Sequence, residues 1–120
     1  MSEGIEKKIY DTNTLIEIYK NRVLLSRLNH VITSILNVIE YPPILKLGDK
    51  LIVIYPSKDD YELAIKIMIK LRKIGEPVNV VDIILASIAI NRNMIVVTND
   101  KGFESIRKVE ENLKIESISF

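Results

Sequence analysis

The chain has 120 residues, 48% of them hydrophobic and 28% charged, with no cysteine and a net charge of +1. That is one domain's worth of chain, able to bury a core without metal or disulfide staples, and it excludes disorder and fibrous repeats. The missing cysteines exclude disulfide scaffolds, thiolate metal sites and cysteine catalysis, and the balanced charge excludes a strongly basic nucleic-acid coat.

The predicted elements alternate short apolar runs with longer helical stretches. A strand begins near Lys7 and ends at Ile9-Tyr10, with Asp11-Thr12-Asn13 at the turn. Thr14 to Lys20 reads as helix, with Leu15, Ile16, Ile18 and Tyr19 on its buried face, and Val23 to Leu28 continues it. The β-branched run His30 to Ile35 reads as a second strand. Leu36 to Leu47 reads as a helix interrupted at Pro42-Pro43 and stopped by Gly48. Leu51 to Tyr55 is a third strand closed by Pro56. Asp59 with Glu62 suggests a capping box for a helix over Tyr61 to Ile74, which Gly75 and Pro77 end.

Asn79 and Asp82 mark another helix start, and Val80 to Arg92 is helical. Met94 to Thr98 is a fourth strand, apolar throughout its centre, as in strands covered on both faces. Phe103 to Glu111 is a short polar helix, and Ile115 to Ser119 a last strand. Nothing in the sequence divides residues 1–120, so a single domain is expected. Strands alternating with helices predict an α/β domain with a mainly parallel sheet. Such sheets bind ligands at the carboxyl ends of their strands.

Four acids sit where that rule directs attention. Asp11 ends the first strand and Asp100 the fourth; Asp82 opens the apolar helix before the fourth strand, and Glu40 follows the apolar run Leu36 to Ile39. Each alone reads as a helix cap or a solvated charge. Together they read differently. Carboxylates converging on one sheet edge repel, and a hard divalent cation with oxygen ligands relieves that repulsion. Such a site supports phosphodiester hydrolysis.

The four acids stand in segments that resemble the motifs of PIN-domain ribonucleases. Asp11-Thr12-Asn13-Thr14-Leu15-Ile16 is similar to the opening motif, and Asn37-Val38-Ile39-Glu40-Tyr41-Pro42 to the second. The stretch from Gly75 to Ala86 is similar to the third, and Val96 to Phe103 to the fourth. Order and spacing agree over nearly the whole chain, and size and simplicity look most like the VapC toxins of toxin–antitoxin pairs. The resemblance implies a three-layer α/β/α sandwich with a five-stranded sheet in the order 3-2-1-4-5. It implies that Asp11, Glu40, Asp82 and Asp100 hold Mg²⁺ or Mn²⁺ and cut RNA to a 5′-phosphate and a 3′-hydroxyl. Asn13 would assist by hydrogen bonding and Thr98 by orienting the first carboxylate. The sequence departs at Gly102, where many relatives carry a further acid, and in the two prolines after the glutamate motif.

Other signals are weaker. His30 is the single histidine and reads as a structural or surface residue. No G-x-S-x-G, Walker or G-x-G-x-x-G motif occurs. Lys101, Arg107 and Lys108 follow the fourth motif and could contact RNA phosphates. The helices are apolar on more than one face, which suits a homodimer interface or a groove for a small antitoxin. Met1 to Lys8 lacks the apolar core of a signal peptide, and no apolar run approaches the roughly 20 residues of a membrane span, so a cytoplasmic location is expected. A PIN nuclease of RNA processing, or a PIN fold that has lost catalysis, are the competing readings. A phosphoacceptor receiver domain is discounted, because Tyr55-Pro56 stands where its aspartate would follow the third strand.

Overall fold

The computed structural model describes residues 7–118. In chain order the elements are β1 (Lys8–Tyr10), α1 (Thr12–Lys20), α2 (Arg22–Arg27), β2 (Val31–Ser34), α3 (Ile35–Glu40), a 3-10 segment (Pro42–Lys50), β3 (Leu51–Ile54), α4 (Lys58–Lys73), α5 (Val80–Asn91), β4 (Ile95–Val97), α6 (Gly102–Val109) and β5 (Lys114–Glu116). The expected alternation is present. Ser119, in the last predicted strand, lies outside the described residues. Among the described residues no helix is long and apolar enough to cross a membrane.

All strand pairings are parallel. β1 pairs with β4 and β4 with β5, while β2 pairs with β3. Read across, the order is 3-2-1-4-5, as expected, but the ladder is not one continuous five-stranded sheet. It divides into a three-stranded and a two-stranded part between β1 and β2. A side chain bridges that seam: the buried Thr33 hydroxyl donates to the Tyr10 carbonyl at 2.7 Å. The carbonyl therefore has a hydroxyl as partner where a continuous sheet would offer a backbone N–H.

The two-residue period of a strand sends its neighbours to opposite faces. Ile9 and Val96 pack into a cluster with Ile67 and Leu71 of α4, Ile84 and Ile88 of α5, and Phe103 and Ile106 of α6. Tyr10 and Val97 pack on the other side with Leu15 and Ile18 of α1, Val38 of α3 and Ile44. These are the three expected layers. Each such side chain contributes about 1.5–3 kcal/mol on full burial. β3 is the exception: it lies at the edge of the order, and Ile52 is exposed.

Helix ends explain the boundary differences. Pro56 holds the chain extended, so α4 starts at Lys58, three residues before the predicted Tyr61. The capping box is accordingly Ser57 with Asp60, in place of Asp59 with Glu62. The Asp60 carboxylate accepts from the Ser57 N–H at 2.8 Å, and the Ser57 hydroxyl accepts from the Asp60 N–H at 3.3 Å. Asp60 is fully buried and meets the Arg92 guanidinium at 2.9 Å and the Asn91 amide at 2.8 Å. At the other end Gly75 is left-handed (φ 73°). Its N–H donates to the Arg72 carbonyl, and the Glu76 N–H to that of Leu71. That is a Schellman ending, the stop Gly75 predicted.

Burial drives the Asp60 carboxyl upward, but the Ser57, Asn91 and Arg92 contacts outweigh it and hold the pKa below its ordinary 3.8. The stability Asp60 contributes is therefore present above about pH 4 and lost as pH falls through its lowered pKa. Asp60→Ala is expected to cost about 2 kcal/mol at pH 7, because it removes the acceptor of Arg92 and Asn91 and one of the two bonds of the α4 capping box. Urea unfolding at pH 7 and pH 3 checks both the loss and its shrinkage in acid.

Candidate active site

Asp11 and Thr98 follow paired strands. The parallel register Tyr10 with Val97 brings the next residues on each strand side by side. Asp11 is 2% exposed and both its oxygens are engaged. Oδ1 caps α1 by accepting from the Thr14 N–H at 3.0 Å. Oδ2 accepts from the Thr98 hydroxyl at 2.5 Å. Thr98 Oγ1 also accepts from the Asp100 N–H at 2.9 Å, so one buried hydroxyl ties together the ends of β1 and β4. The cap that sequence reasoning set against a functional Asp11 exists, and it leaves the carboxylate oriented at the sheet edge.

Asp100 is exposed, and its Oδ1 accepts from the Gly102 N–H at 2.8 Å. A Cβ at Gly102 would stand 3.3 Å from that same Oδ1 and 3.3 Å from Val78 Cγ1. Glycine lets the Asp100 carboxylate fold back onto the chain. A larger residue here would press on both neighbours, which gives the departure at Gly102 a physical setting.

Asp82 stands in the first turn of α5, behind the Asn79 cap, whose side chain accepts from the Val81 N–H at 2.8 Å. The next seven residues, Ile83 to Ala89, are all buried. Asp82 is drawn partly into this apolar setting. Its pKa is pushed up from 3.8 to about 7, first by burial and then by the charges of Asp100, Asp11 and Glu40.

Glu40 is exposed at the end of α3. The prolines do not displace it. Tyr41 leaves the helix and Pro42 opens a separate 3-10 segment, so the break falls just beyond the glutamate. A chain of hydrogen bonds reaches it from the interior. The Ser34 hydroxyl donates to Asn37 Oδ1 at 2.5 Å, the Asn37 amide to Thr12 Oγ1 at 2.9 Å, and the Thr12 hydroxyl to Glu40 Oε1 at 2.5 Å. Every donor points toward the carboxylate. Sequence reasoning missed Ser34 and Thr12 as supports, and it gave Asn37 no role beyond the motif. The i, i+3, i+6 spacing of Ser34, Asn37 and Glu40, one face of a short helix, was the available signal.

All four acids line one cavity of about 390 Å³, together with Thr12, Asn13 and Asn79. A neighbouring cavity of about 170 Å³ shares Asn13 and Asp100 and adds Thr14, Glu17, Asn99 and Ile118. The carboxylates ring the larger cavity; among the described residues no three acidic or histidine side chains meet closely enough to clasp an ion as they stand. The donor chemistry is nonetheless that of a hard cation: carboxylate oxygens only, with the charge repulsion felt at Asp82.

Thr98→Val keeps the side-chain shape and removes both hydrogen bonds. It is expected to cost about 1–3 kcal/mol, since the Asp11 carboxylate is buried and loses a donor. Thermal unfolding of the variant beside wild type measures this.

The family model of the PIN domain matches residues 8–109, most of the chain. The chain belongs to the PIN domain family. No curated protein matches it in sequence. Solved structures do match in shape. A chain of the DNA-bound VapBC from Salmonella typhimurium is 24% identical, with a TM-score of 0.75 over 94% of this chain and 98% of that one. VapBC-1 of nontypeable Haemophilus influenzae gives 22% identity and a TM-score of 0.75, over 92% and 96%. VapBC2 of Rickettsia felis, bound to a promoter DNA fragment, gives 23% and 0.70, over 92% and 97%. At these identities the likeness is one of fold.

In this PIN domain the remaining sequence candidates are not among the residues that line the acidic cavity. His30 is exposed just before β2. Arg107 pairs with Glu104 at 2.6 Å and Lys108 with Glu76 at 2.9 Å, while Lys101 precedes α6. None of the three basic residues lines either polar cavity.

Proposed function

We propose that this PIN domain is a divalent-metal-dependent endoribonuclease, the toxin of a type II toxin–antitoxin pair working in the cytoplasm. The observation that carries the reading is the ring of four carboxylates around one polar cavity, with Asp82 pushed up to about 7 by burial and by the other three charges. Asp11, Glu40, Asp82 and Asp100 would hold Mg²⁺ or Mn²⁺. When bound, such an ion lowers the pKa of its water and stabilises charge on phosphoryl oxygens. The chain's own residues supply position. Thr98 and the Thr14 N–H orient Asp11, while Thr12 and Asn37 orient Glu40. Asn13, on the cavity wall, would hydrogen-bond RNA, and Lys101, Arg107 and Lys108 would supply positive charge farther along the strand. The expected products carry a 5′-phosphate and a 3′-hydroxyl.

The toxin assignment draws on the shared fold with VapBC complexes. It also draws on exposed apolar side chains, Tyr61 and Ile65 of α4 and Val80 of α5, around an apolar cavity of about 250 Å³. Such a surface suits a second copy of the chain or a small antitoxin. Purified protein is expected to cut total RNA with Mn²⁺ or Mg²⁺, and excess EDTA to stop it. Cleavage that survives EDTA would sink the metal mechanism.

A further inference from the structure

We propose that the smaller cavity is a base-binding subsite that selects guanine in a nucleotide flanking the scissile phosphate. The inference rests on the nuclease reading above. Asn13 and Asp100 belong to the walls of both cavities, so a base attached to a phosphate at the acidic ring has the smaller cavity beside it.

Its lining residues divide by what their polar atoms already do. The Thr14 hydroxyl donates to the Val97 carbonyl at 3.2 Å. The Asn99 amide is committed at both ends to Ile118, donating to its carbonyl at 3.2 Å and accepting from its N–H at 3.3 Å. That reciprocal pair holds Ile118 in place as an apolar wall against which a base can lie. The Asp100 carboxylate accepts from the Gly102 N–H and belongs to the acidic ring. Asn13 and Glu17 are left to read a base. They stand four residues apart on α1, hence on one face of the helix, and both line the cavity.

Their chemistry selects among the bases. A carboxylate only accepts and has two oxygens for two parallel donors; a carboxamide both donates and accepts. Unpaired bases in RNA are read on their Watson–Crick edges. Guanine alone of the four common bases offers two adjacent donors there, N1–H and the N2 amino group, beside an acceptor, O6. Glu17 takes the two donors and the Asn13 amide donates to O6. Adenine, cytosine and uracil each present a single donor on that edge and leave one Glu17 oxygen without a partner.

The test uses the whole protein with Mn²⁺ and uridine-rich oligonucleotides carrying one guanosine, adenosine or inosine. Wild type is expected to cut at a fixed place beside guanosine, at least about tenfold faster than beside adenosine. Inosine, which lacks the N2 amino group, is expected to fall well below guanosine. In Glu17→Gln, one acceptor oxygen becomes an amino group that opposes a guanine donor. Guanosine and inosine are then expected to be cut at nearly the same rate. Only ratios within one protein are read, so a general loss of rate does not count. Glu17 is exposed on its helix, and circular dichroism verifies that the variant folds. Cutting by wild type with no preference between guanosine and inosine overturns the subsite, as does a Glu17→Gln protein that keeps the full preference. Wild type inert on every oligonucleotide overturns the nuclease reading, and the subsite with it.

Discussion

Asp11→Asn is expected to lower RNA cleavage by about 10³-fold or more, while leaving the unfolding free energy within about 1 kcal/mol of wild type. The first half follows from charge: a carboxamide is a poor ligand for a hard cation compared with a carboxylate. The second follows from the contacts. The asparagine Oδ1 can still accept the Thr14 N–H, so the cap on α1 survives. Its amino group meets Thr98 Oγ1, whose hydroxyl must turn from donor to acceptor. The loss of that one charge-assisted bond is offset by removing a negative charge from the ring. Asp11→Ala separates the two effects, because it also removes the cap, at about 1 kcal/mol. Urea unfolding and RNA cleavage on the three proteins make the comparison. An asparagine variant that cuts RNA at the wild-type rate would remove Asp11 from the mechanism.

The residues legible in the sequence were those whose type is constrained by position along the chain. Asp11, Asp82 and Asp100 follow strands or open an apolar helix, and the topology of parallel strands brings such places to one edge. The covering of the sheet on both faces was equally legible, because apolar runs such as Met94 to Thr98 require it, while the three-layer sandwich in the order 3-2-1-4-5 was what the family resemblance implied. What was not legible depended on side chains meeting across sequence. Thr33 closes the seam between β1 and β2 by reaching Tyr10, and no local pattern announces it. Ser34, Asn37 and Thr12 look like ordinary turn and helix-start residues until the fold aligns their hydroxyls and amide toward Glu40. The capping box differs from the expected one for a similar reason. Asp59 and Glu62 have the right spacing, but Pro56 sets the helix start earlier, and burial beside Arg92 makes Asp60 the working partner. The two prolines after Glu40, a departure from the motif, leave its place at the end of α3 intact.

Asp82→Asn is expected to make the metal-free protein more stable and inactive at once. In the folded chain Asp82 keeps its proton up to about pH 7, against an ordinary value of 3.8. A raised carboxyl pKa means that the folded state binds the proton more tightly than the unfolded one. The associated stability is full below about pH 4 and is lost as pH rises through 7. The difference between 3.8 and about 7 corresponds to about 4 kcal/mol, which we halve to about 2 kcal/mol because the side chain is only partly buried and solvent screens the ring. Asparagine carries no charge at any of these pH values. The variant should therefore match wild type at pH 4 and exceed it by about 2 kcal/mol at pH 8, read from urea unfolding in EDTA. Part of the penalty comes from Asp11, so the gain from Asp82→Asn should shrink in an Asp11→Asn background, a coupling that a double-mutant cycle isolates. Adding Mg²⁺ or Mn²⁺ at pH 8 should raise the melting temperature of wild type more than that of the variant, because an ion bound only by the folded state stabilises it by mass action. A pH-independent difference between the two proteins, with no response to the ion, would mean that Asp82 is strained by packing and that charge at the ring is not what raises its pKa.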